Sequence, residues 1–90
     1  MLQAQEPKYD AREGRLVNRH TGEPIPDEEP VFILRAKDRL ATVALTAYYA
    51  AITDPEHART VAARIESFKA FALANPDKMK EPNTGPRAPA

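Results

Sequence analysis

The strongest structural signal in the chain is the tripeptide Asp54-Pro55-Glu56, which lies between two stretches of helical periodicity. As an N-cap, Asp54 can accept hydrogen bonds from free N–H groups, and Pro55 fits the first helical position. Glu56 places a negative charge where the helix dipole is positive. Because only Thr53 and Asp54 separate the two stretches, the chain must reverse tightly there, and we predict an antiparallel helical hairpin.

The second predicted helix runs from Asp54 to about residue 74 and ends at Asn75-Pro76. Proline cannot continue a helix and asparagine tolerates the left-handed conformation, so Asn75 is predicted to be a left-handed cap. An apolar stripe at helical spacing is predicted to face the core. Its members are Ala58, Val61, Ile65, Phe68 and Ala72, flanked by Ala62 and Phe71.

The first predicted helix covers about residues 38–53, with Asp38 as its cap or in its first turn. Two apolar stripes run along the surface of this helix. The first consists of Leu40, Val43, Ala44, Ala47 and Ala51. The second consists of Leu45, Tyr48, Tyr49 and Ile52. A helix that is apolar over most of its circumference must be covered on two sides, and the second helix can cover only one of them.

Self-association would cover the remaining side of the first helix. We predict a homo-oligomer, most simply a two-fold dimer, with a contact surface formed by Leu45, Tyr48, Tyr49 and Ile52. The alternative is that the strands and the N-terminal segment cover this surface within one chain.

The N-terminal half carries weaker signals for strands. Residues 14–18 have an apolar centre at Leu16 and Val17, and residues 18–24 are rich in turn formers, with Gly22 able to supply a positive φ. Residues 31–34 form a β-rich run, which we predict to pair antiparallel with residues 15–18. Two strands alone are marginal in water, so the predicted fold is α+β, with a short β-hairpin or extended arm packed on the two-helix hairpin.

The predicted domain covers residues 8–76 of the 90-residue chain. Residues 1–7 and the proline-rich residues 77–90 hold too few apolar side chains to offset the entropy of ordering, and we predict both segments to be disordered. A domain of this size buries only about 60% of its unfolded surface, so a lone monomer is predicted to be marginally stable.

The residue types in the chain exclude several kinds of chemistry. Without cysteine there is no disulfide scaffold, no thiol catalysis and no cysteine-based zinc site. Ser67, the only serine, lies mid-helix without a nearby histidine, and neither His20 nor His57 has the i, i+4 partner of a helical metal site. The three glycines form no phosphate-binding loop. We therefore assign no catalytic residue, metal ligand or cofactor, and an enzyme is the least favoured class.

The order of charges is more informative than their sum of zero. A zero net charge disfavours a nucleic-acid binder or a membrane-surface protein, both of which need a basic excess. A basic block is followed by an acidic block and then by cations at alternate positions, which would project from one side of an extended segment. The candidate ligand- or partner-binding residues are Arg15, Arg19, Arg35, Lys37 and Arg39. The alternative is mutual neutralisation, with the acidic loop over the basic strand in exposed ion pairs.

Two segments have a distinctive sequence, Asn18-Arg-His-Thr-Gly-Glu-Pro-Ile-Pro-Asp-Glu-Glu-Pro-Val-Phe-Ile-Leu-Arg-Ala-Lys-Asp38 and Phe71-Ala-Leu-Ala-Asn-Pro-Asp-Lys-Met-Lys80. In these segments the chain resembles small accessory proteins encoded by tailed bacteriophages. The resemblance implies a compact protein made in the infected bacterial cell that binds a host or phage macromolecule. No functional residue can be carried over from it.

Two functional hypotheses follow from these patterns. The first is a non-enzymatic protein-binding or assembly module, which uses the charged segment for recognition and the first helix for assembly. The alternative is a protein that binds a small anionic ligand or nucleotide through arginines gathered at an oligomer interface. The absence of a signal-peptide pattern, and of an apolar run of about 20 residues, predicts a cytoplasmic protein.

Overall fold

The computed structural model describes residues 6–83 and confirms the α+β class, since a two-stranded antiparallel hairpin is followed by two helices. The chain divides into two compact units, Met1–Phe32 and Ile33–Ala90. The packing of the strands on the helices, and a single domain over residues 8–76, stay predictions. The predicted disorder of residues 1–5 and 84–90 lies outside the described residues.

The first unit is built on a hairpin of β1 (Tyr9–Arg12) and β2 (Arg15–Asn18). Arg12 pairs with Arg15, so Glu13 and Gly14 alone form the turn. Their φ angles are 52° and 76°, which matches the tight turn that joins strands of natural right-handed twist. This local closure places Val17, which is 6% exposed, in the centre of the small sheet.

The predicted partner of β2 is therefore wrong. Residues 31–34 form no strand, and Phe32 and Ile33 are 85% and 70% exposed. Both edges of β2 are already in use. Asp10 of β1 pairs with Val17 on one edge, and Pro24 forms an antiparallel bridge with Val17 on the other. Closing these short loops costs less chain entropy than bringing in a segment from farther along the chain.

The turn between β2 and Pro24 is confirmed where the sequence predicts it. Gly22 has a φ of 77°, and its N–H donates to the Asn18 carbonyl at 2.8 Å. The side-chain oxygen of Asn18 accepts from the backbone N–H groups of His20 and Thr21 at 2.9 and 3.0 Å. Asn18 thus fixes the reversal by the local side-chain bonding that makes asparagine a turn former.

The second unit contains α1 (Ala41–Ala51), α2 (Pro55–Ala74) and a short 3-10 helix, Pro76–Lys78. The start of α2 is confirmed, because Asp54 caps it by accepting from the Glu56 N–H at 3.0 Å. Helix α1 begins later than predicted. Asp38 bonds the Leu40 N–H at 2.8 Å, which stabilises a turn before the helix instead of its first turn.

Asn75 ends α2, but the predicted left-handed cap is wrong because its φ is −135°. Its backbone N–H and its side-chain amide both donate to the Phe71 carbonyl, at 2.9 and 3.1 Å. Pro76 then opens the 3-10 helix. Because Asn75 precedes a proline, helical backbone is disfavoured at this position. The two hydrogen bonds from Asn75 to the Phe71 carbonyl then end the helix without a positive φ.

The predicted core face of α2 is confirmed. Val61 and Ile65 are buried, and Ala58, Phe68 and Ala72 on the same stripe are half-buried. On α1 the fully buried residue is Ala41, with Leu45 half-buried on the same side, and Ile52, which directly follows the helix, is half-buried as well. Tyr48 connects the two helices, since its hydroxyl lies 2.9 Å from His57 Nε2 and the two rings meet edge to face.

Two backbone hydrogen bonds hold the chain beyond α2 against the segment before α1. The Arg39 N–H donates to the Lys80 carbonyl at 2.9 Å, and the Lys80 N–H donates to the Lys37 carbonyl at 3.1 Å. We call this pair of bonds the backbone clamp. The sequence predicts a disordered tail from residue 77 onward, whereas residues 77–80 have a defined path. This path is set by backbone hydrogen bonds, and the hydrophobicity of the side chains does not indicate where such bonds form.

The turn of the β-hairpin gives a stability prediction. Replacing Gly14 with alanine forces a Cβ into positive φ, and we expect it to destabilise the hairpin by about 1 kcal/mol. Glu13→Asn should stabilise it by about 0.5 kcal/mol, because asparagine tolerates positive φ better than glutamate. Amide hydrogen exchange of β1 and β2 measures both effects. The exposed Glu28→Asn removes the same charge as the Glu13 variant and should change nothing, and faster exchange in Glu13→Asn would contradict the prediction.

Candidate functional site

The second unit contains a cavity of about 530 Å³ with a strongly basic lining. Its lining residues are Arg35, Ala36, Lys37, Phe71, Asp77, Lys78 and Lys80. Four cations and one carboxylate leave an excess of three positive charges around a space of the size that small ligands occupy. We call this space the basic cavity.

Three local structures bring these cations together. A turn closed by the Asp38 N–H on the Arg35 carbonyl, at 2.9 Å, places Arg35 and Lys37 on one side of the cavity. The 3-10 helix places Lys78 after the end of α2, with its N–H on the Asn75 carbonyl at 3.0 Å. The backbone clamp then holds Lys80 beside Lys37. Most of the lining is therefore set by backbone hydrogen bonds.

The cations of the basic cavity differ from five others in residues 6–83 in having no ion-pair partner. Within residues 6–83, none of them makes a side-chain hydrogen bond or an ion pair with a described residue. Five cations elsewhere in that range are paired with carboxylates, namely Arg12, Arg15, Arg19, Arg39 and Lys69. Unpaired cations converging on a cavity are suited to bind an anion, because no internal ion pair has to break first.

The structure brings together two of the five sequence-predicted binding residues. Arg35 and Lys37 line the basic cavity, but not as neighbours on an extended strand, because residues 36–40 form turns. The predicted alternate projection is wrong for this reason. Arg39 bonds Glu81 at 3.0 Å and lines a second cavity of about 420 Å³ beside Leu73 and Met79.

Arg15 and Arg19 belong to the first unit, where both hold its loops in place. Arg19 donates to the carbonyl groups of Tyr9 and Glu6 at 2.7 and 3.1 Å, and it pairs with Asp10 at 3.4 Å. Its side chain is only 14% exposed. Arg15 pairs with Asp27 of the acidic block at 3.2 Å, as in the neutralisation alternative.

Lys78 and Lys80 were missed by the sequence-based prediction, which placed them in a disordered tail. The signal that could have found them is the Asn75-Pro76-Asp77 sequence, since a helix stop followed by proline often leads into a short turn. Lys78 and Lys80 lie at alternate positions, on either side of Met79, which would then have suggested that their side chains project in the same direction.

The predicted self-association residues lie on two sides of α1. Leu45 is half-buried on the side that carries Ala41, and Ile52 is half-buried directly after the helix. Tyr48 bonds His57. Tyr49 is 42% exposed. The first apolar stripe, Leu40, Val43, Ala44, Ala47 and Ala51, is exposed along its whole length. We call it the outer face of α1.

Other chemistry is not indicated by the described residues. Within residues 6–83, no group of three or more His, Asp or Glu side chains is placed to hold a metal ion. Ser67 donates its hydroxyl to the Ala63 carbonyl one turn earlier, at 3.1 Å. None of the helices in that range is long and apolar enough to cross a membrane.

Comparison with known proteins identifies no relative. No protein-family model, no curated protein and no solved structure matches the chain. The functional assignment therefore rests on the geometry of the two units.

The two arginines of the first unit give a contrasting pair of variants. We expect Arg19→Ala to destabilise the hairpin by about 1–3 kcal/mol, because two carbonyl groups and Asp10 lose a charged donor. Arg15→Ala should cost less than about 1 kcal/mol, since Asp27 is 90% exposed. Hydrogen exchange of the strand amides measures both, and equal effects would refute the structural role of Arg19.

Asp10 gives the first unit a pH dependence. The hydrogen bond from Arg12 lowers the pKa of Asp10, burial acts in the opposite direction, and the Ala11 N–H and Arg19 lower it further. A lowered pKa stabilises the fold above the unfolded value of about 3.9, and this contribution is lost as the pH falls through the folded value.

We therefore expect protection of the β1 and β2 amides to fall on acidification below about pH 4. Asp10→Asn should lower protection at neutral pH, and its difference from the wild type should vanish in acid. A difference that persists unchanged at about pH 2 would contradict this assignment.

Proposed function

We propose that the chain is a non-enzymatic assembly module that self-associates through the outer face of α1. The observation that carries the proposal is the exposure of this apolar face, where Val43 is 68% and Leu40 42% exposed. Contiguous apolar surface of this kind marks sites of protein association.

The composition of α1 favours a second copy of the chain as the partner. No residue of Ala41–Ala51 is charged, so pairing two outer faces buries no unpaired charge. The net charge of the chain is zero, which removes long-range repulsion between copies. A self-complementary surface generates a closed two-fold dimer, which is the commonest symmetric assembly.

The size of the face sets the strength of the contact. Eleven residues form a helix about 16 Å long, so two such faces bury less than the roughly 1,200 Å² of a standard interface. We therefore propose a dimer in the micromolar range or weaker. Tyr48, 53% exposed beside Ala44, extends the apolar area at the border of the face. This outer face replaces the predicted set centred on Leu45 and Ile52, which are half-buried.

The resemblance to phage accessory proteins supports the same class of function. An accessory protein of that kind, in the cytoplasm of an infected bacterium, would present its dimer to a host or phage macromolecule. The basic cavity supports the second hypothesis, a site for an anionic ligand. Its lining comes from one chain, so such a site would not need an oligomer interface.

A glutamate at the centre of the outer face tests the proposal. We expect Ala47→Glu to abolish the dimer, because two carboxylates would meet across the contact. Ala63→Glu is the matched control, since Ala63 is also an exposed helical alanine but lies on α2. Sedimentation equilibrium at increasing concentration measures the mass of each protein.

The wild type and Ala63→Glu should rise above the 10.0 kDa monomer at high micromolar concentration, and Ala47→Glu should not. A wild-type mass that stays at the monomer value would overturn the proposal. So would equal association of the wild type and Ala47→Glu.

A further inference from the structure

We infer that the basic cavity is a binding site for a small organic polyphosphate, in which the phosphates contact the four cations and an apolar portion contacts Phe71. This site is separate from the outer face of α1. It would function in a monomer or a dimer, so its test does not depend on self-association.

The charge of the lining selects the ligand class. Arg35, Lys37, Lys78 and Lys80 outweigh the single carboxylate of Asp77 by three charges. One inorganic phosphate, with fewer than two negative charges at neutral pH, would leave part of this excess unbalanced. A chain of two or three phosphates matches it and is long enough to contact cations from both segments of the chain.

Arg35 and the lysines would have different roles in such a site. A guanidinium binds two oxygens of one phosphate in a planar fork, whereas an ammonium acts as a point charge that follows a moving phosphate. One arginine with three lysines therefore favours a flexible polyphosphate over a single oriented phosphate. The side chains of all four cations have no ion-pair partner among the described residues, so they are available to the ligand.

The apolar part of the lining favours an organic ligand over an inorganic one. Phe71 and Ala36 line the same cavity as the cations. Phe71 is half-buried on α2 and keeps part of its surface toward the cavity. An aromatic side chain beside a phosphate site offers contact area to a flat group such as a nucleobase, as in nucleic-acid binding by stacking. The volume of about 530 Å³ is within the range of small-molecule pockets.

Asp77 provides a variant with the opposite sign. Its carboxylate lies among the cations without forming an ion pair with any of them in the described part of the chain. It would repel a phosphate, so Asp77→Asn should tighten binding by about 2- to 5-fold. A loss of general protein stability cannot produce a tighter complex, and this variant therefore separates the site from a folding effect.

Titration calorimetry with ATP as the probe tests the site. We expect binding that weakens as salt rises from about 50 to about 300 mM. Arg35→Gln and Lys78→Gln should each weaken it by about 3- to 10-fold. Arg59→Gln, on the exposed face of α2, removes the same charge outside the cavity and should leave the affinity unchanged. Thermal melts confirm that each variant is folded.

Two further probes identify the part of the ligand that is recognised. Adenosine should show no binding, and inorganic tripolyphosphate should bind about 3-fold or more weaker than ATP, because it cannot contact Phe71. Equal affinity for tripolyphosphate and ATP would overturn the organic assignment. An equal loss in Arg59→Gln and Arg35→Gln, or no heat of binding with millimolar ATP, would overturn the site itself.

Discussion

The second unit depends on the backbone clamp, the two hydrogen bonds that Lys80 exchanges with Lys37 and Arg39. They return the chain beyond α2 to the segment that precedes α1, so the unit is closed at that end by backbone and not by a large core. The same two bonds place Lys78 and Lys80 beside Arg35 and Lys37. The backbone clamp therefore both closes the second unit and concentrates the positive charge of the basic cavity. Without the clamp, the cations would belong to two separate loops.

Charge and apolar surface are distributed unevenly over the chain, and the distribution gives each surface a different role. In the first unit the arginines are used internally, as Arg19 shows by bonding two carbonyl groups and Asp10. In the second unit the cavity cations have no such partners among the described residues. Helix α1 has no charge at all, and its outer face is exposed. The zero net charge of the chain thus conceals a neutralised hairpin, a basic cavity and an uncharged helix face.

The sequence predicts the structure correctly where a single local interaction decides it. The Asp54 cap, the Gly22 turn and the α2 stripe around Val61 and Ile65 all follow from neighbours within a few residues. The sequence predicts the wrong pairing where two segments compete for the same strand. The β-rich run at residues 31–34 has strand propensity, but β2 pairs with β1 instead. The turn between these two strands, Glu13-Gly14, lacks the Asn-Gly or Asp-Gly sequence by which such a turn is recognised.

The candidate site was predictable only in part for the same physical reason. Arg35 and Lys37 could be identified from their charges, but their companions Lys78 and Lys80 are some forty residues farther along, in a segment of disorder-prone composition. A backbone hydrogen bond between two irregular segments has no sequence signature, because every residue except proline carries the same donor and acceptor.

Amide hydrogen exchange at Arg39 and Lys80, the two donors of the backbone clamp, tests the central claim most directly. We expect both amides to exchange at least about 10-fold more slowly than the amide of Glu81, which donates no backbone hydrogen bond within residues 6–83. Exchange of Arg39 and Lys80 as fast as that of Glu81 would contradict the clamp, and with it the cavity that the clamp assembles.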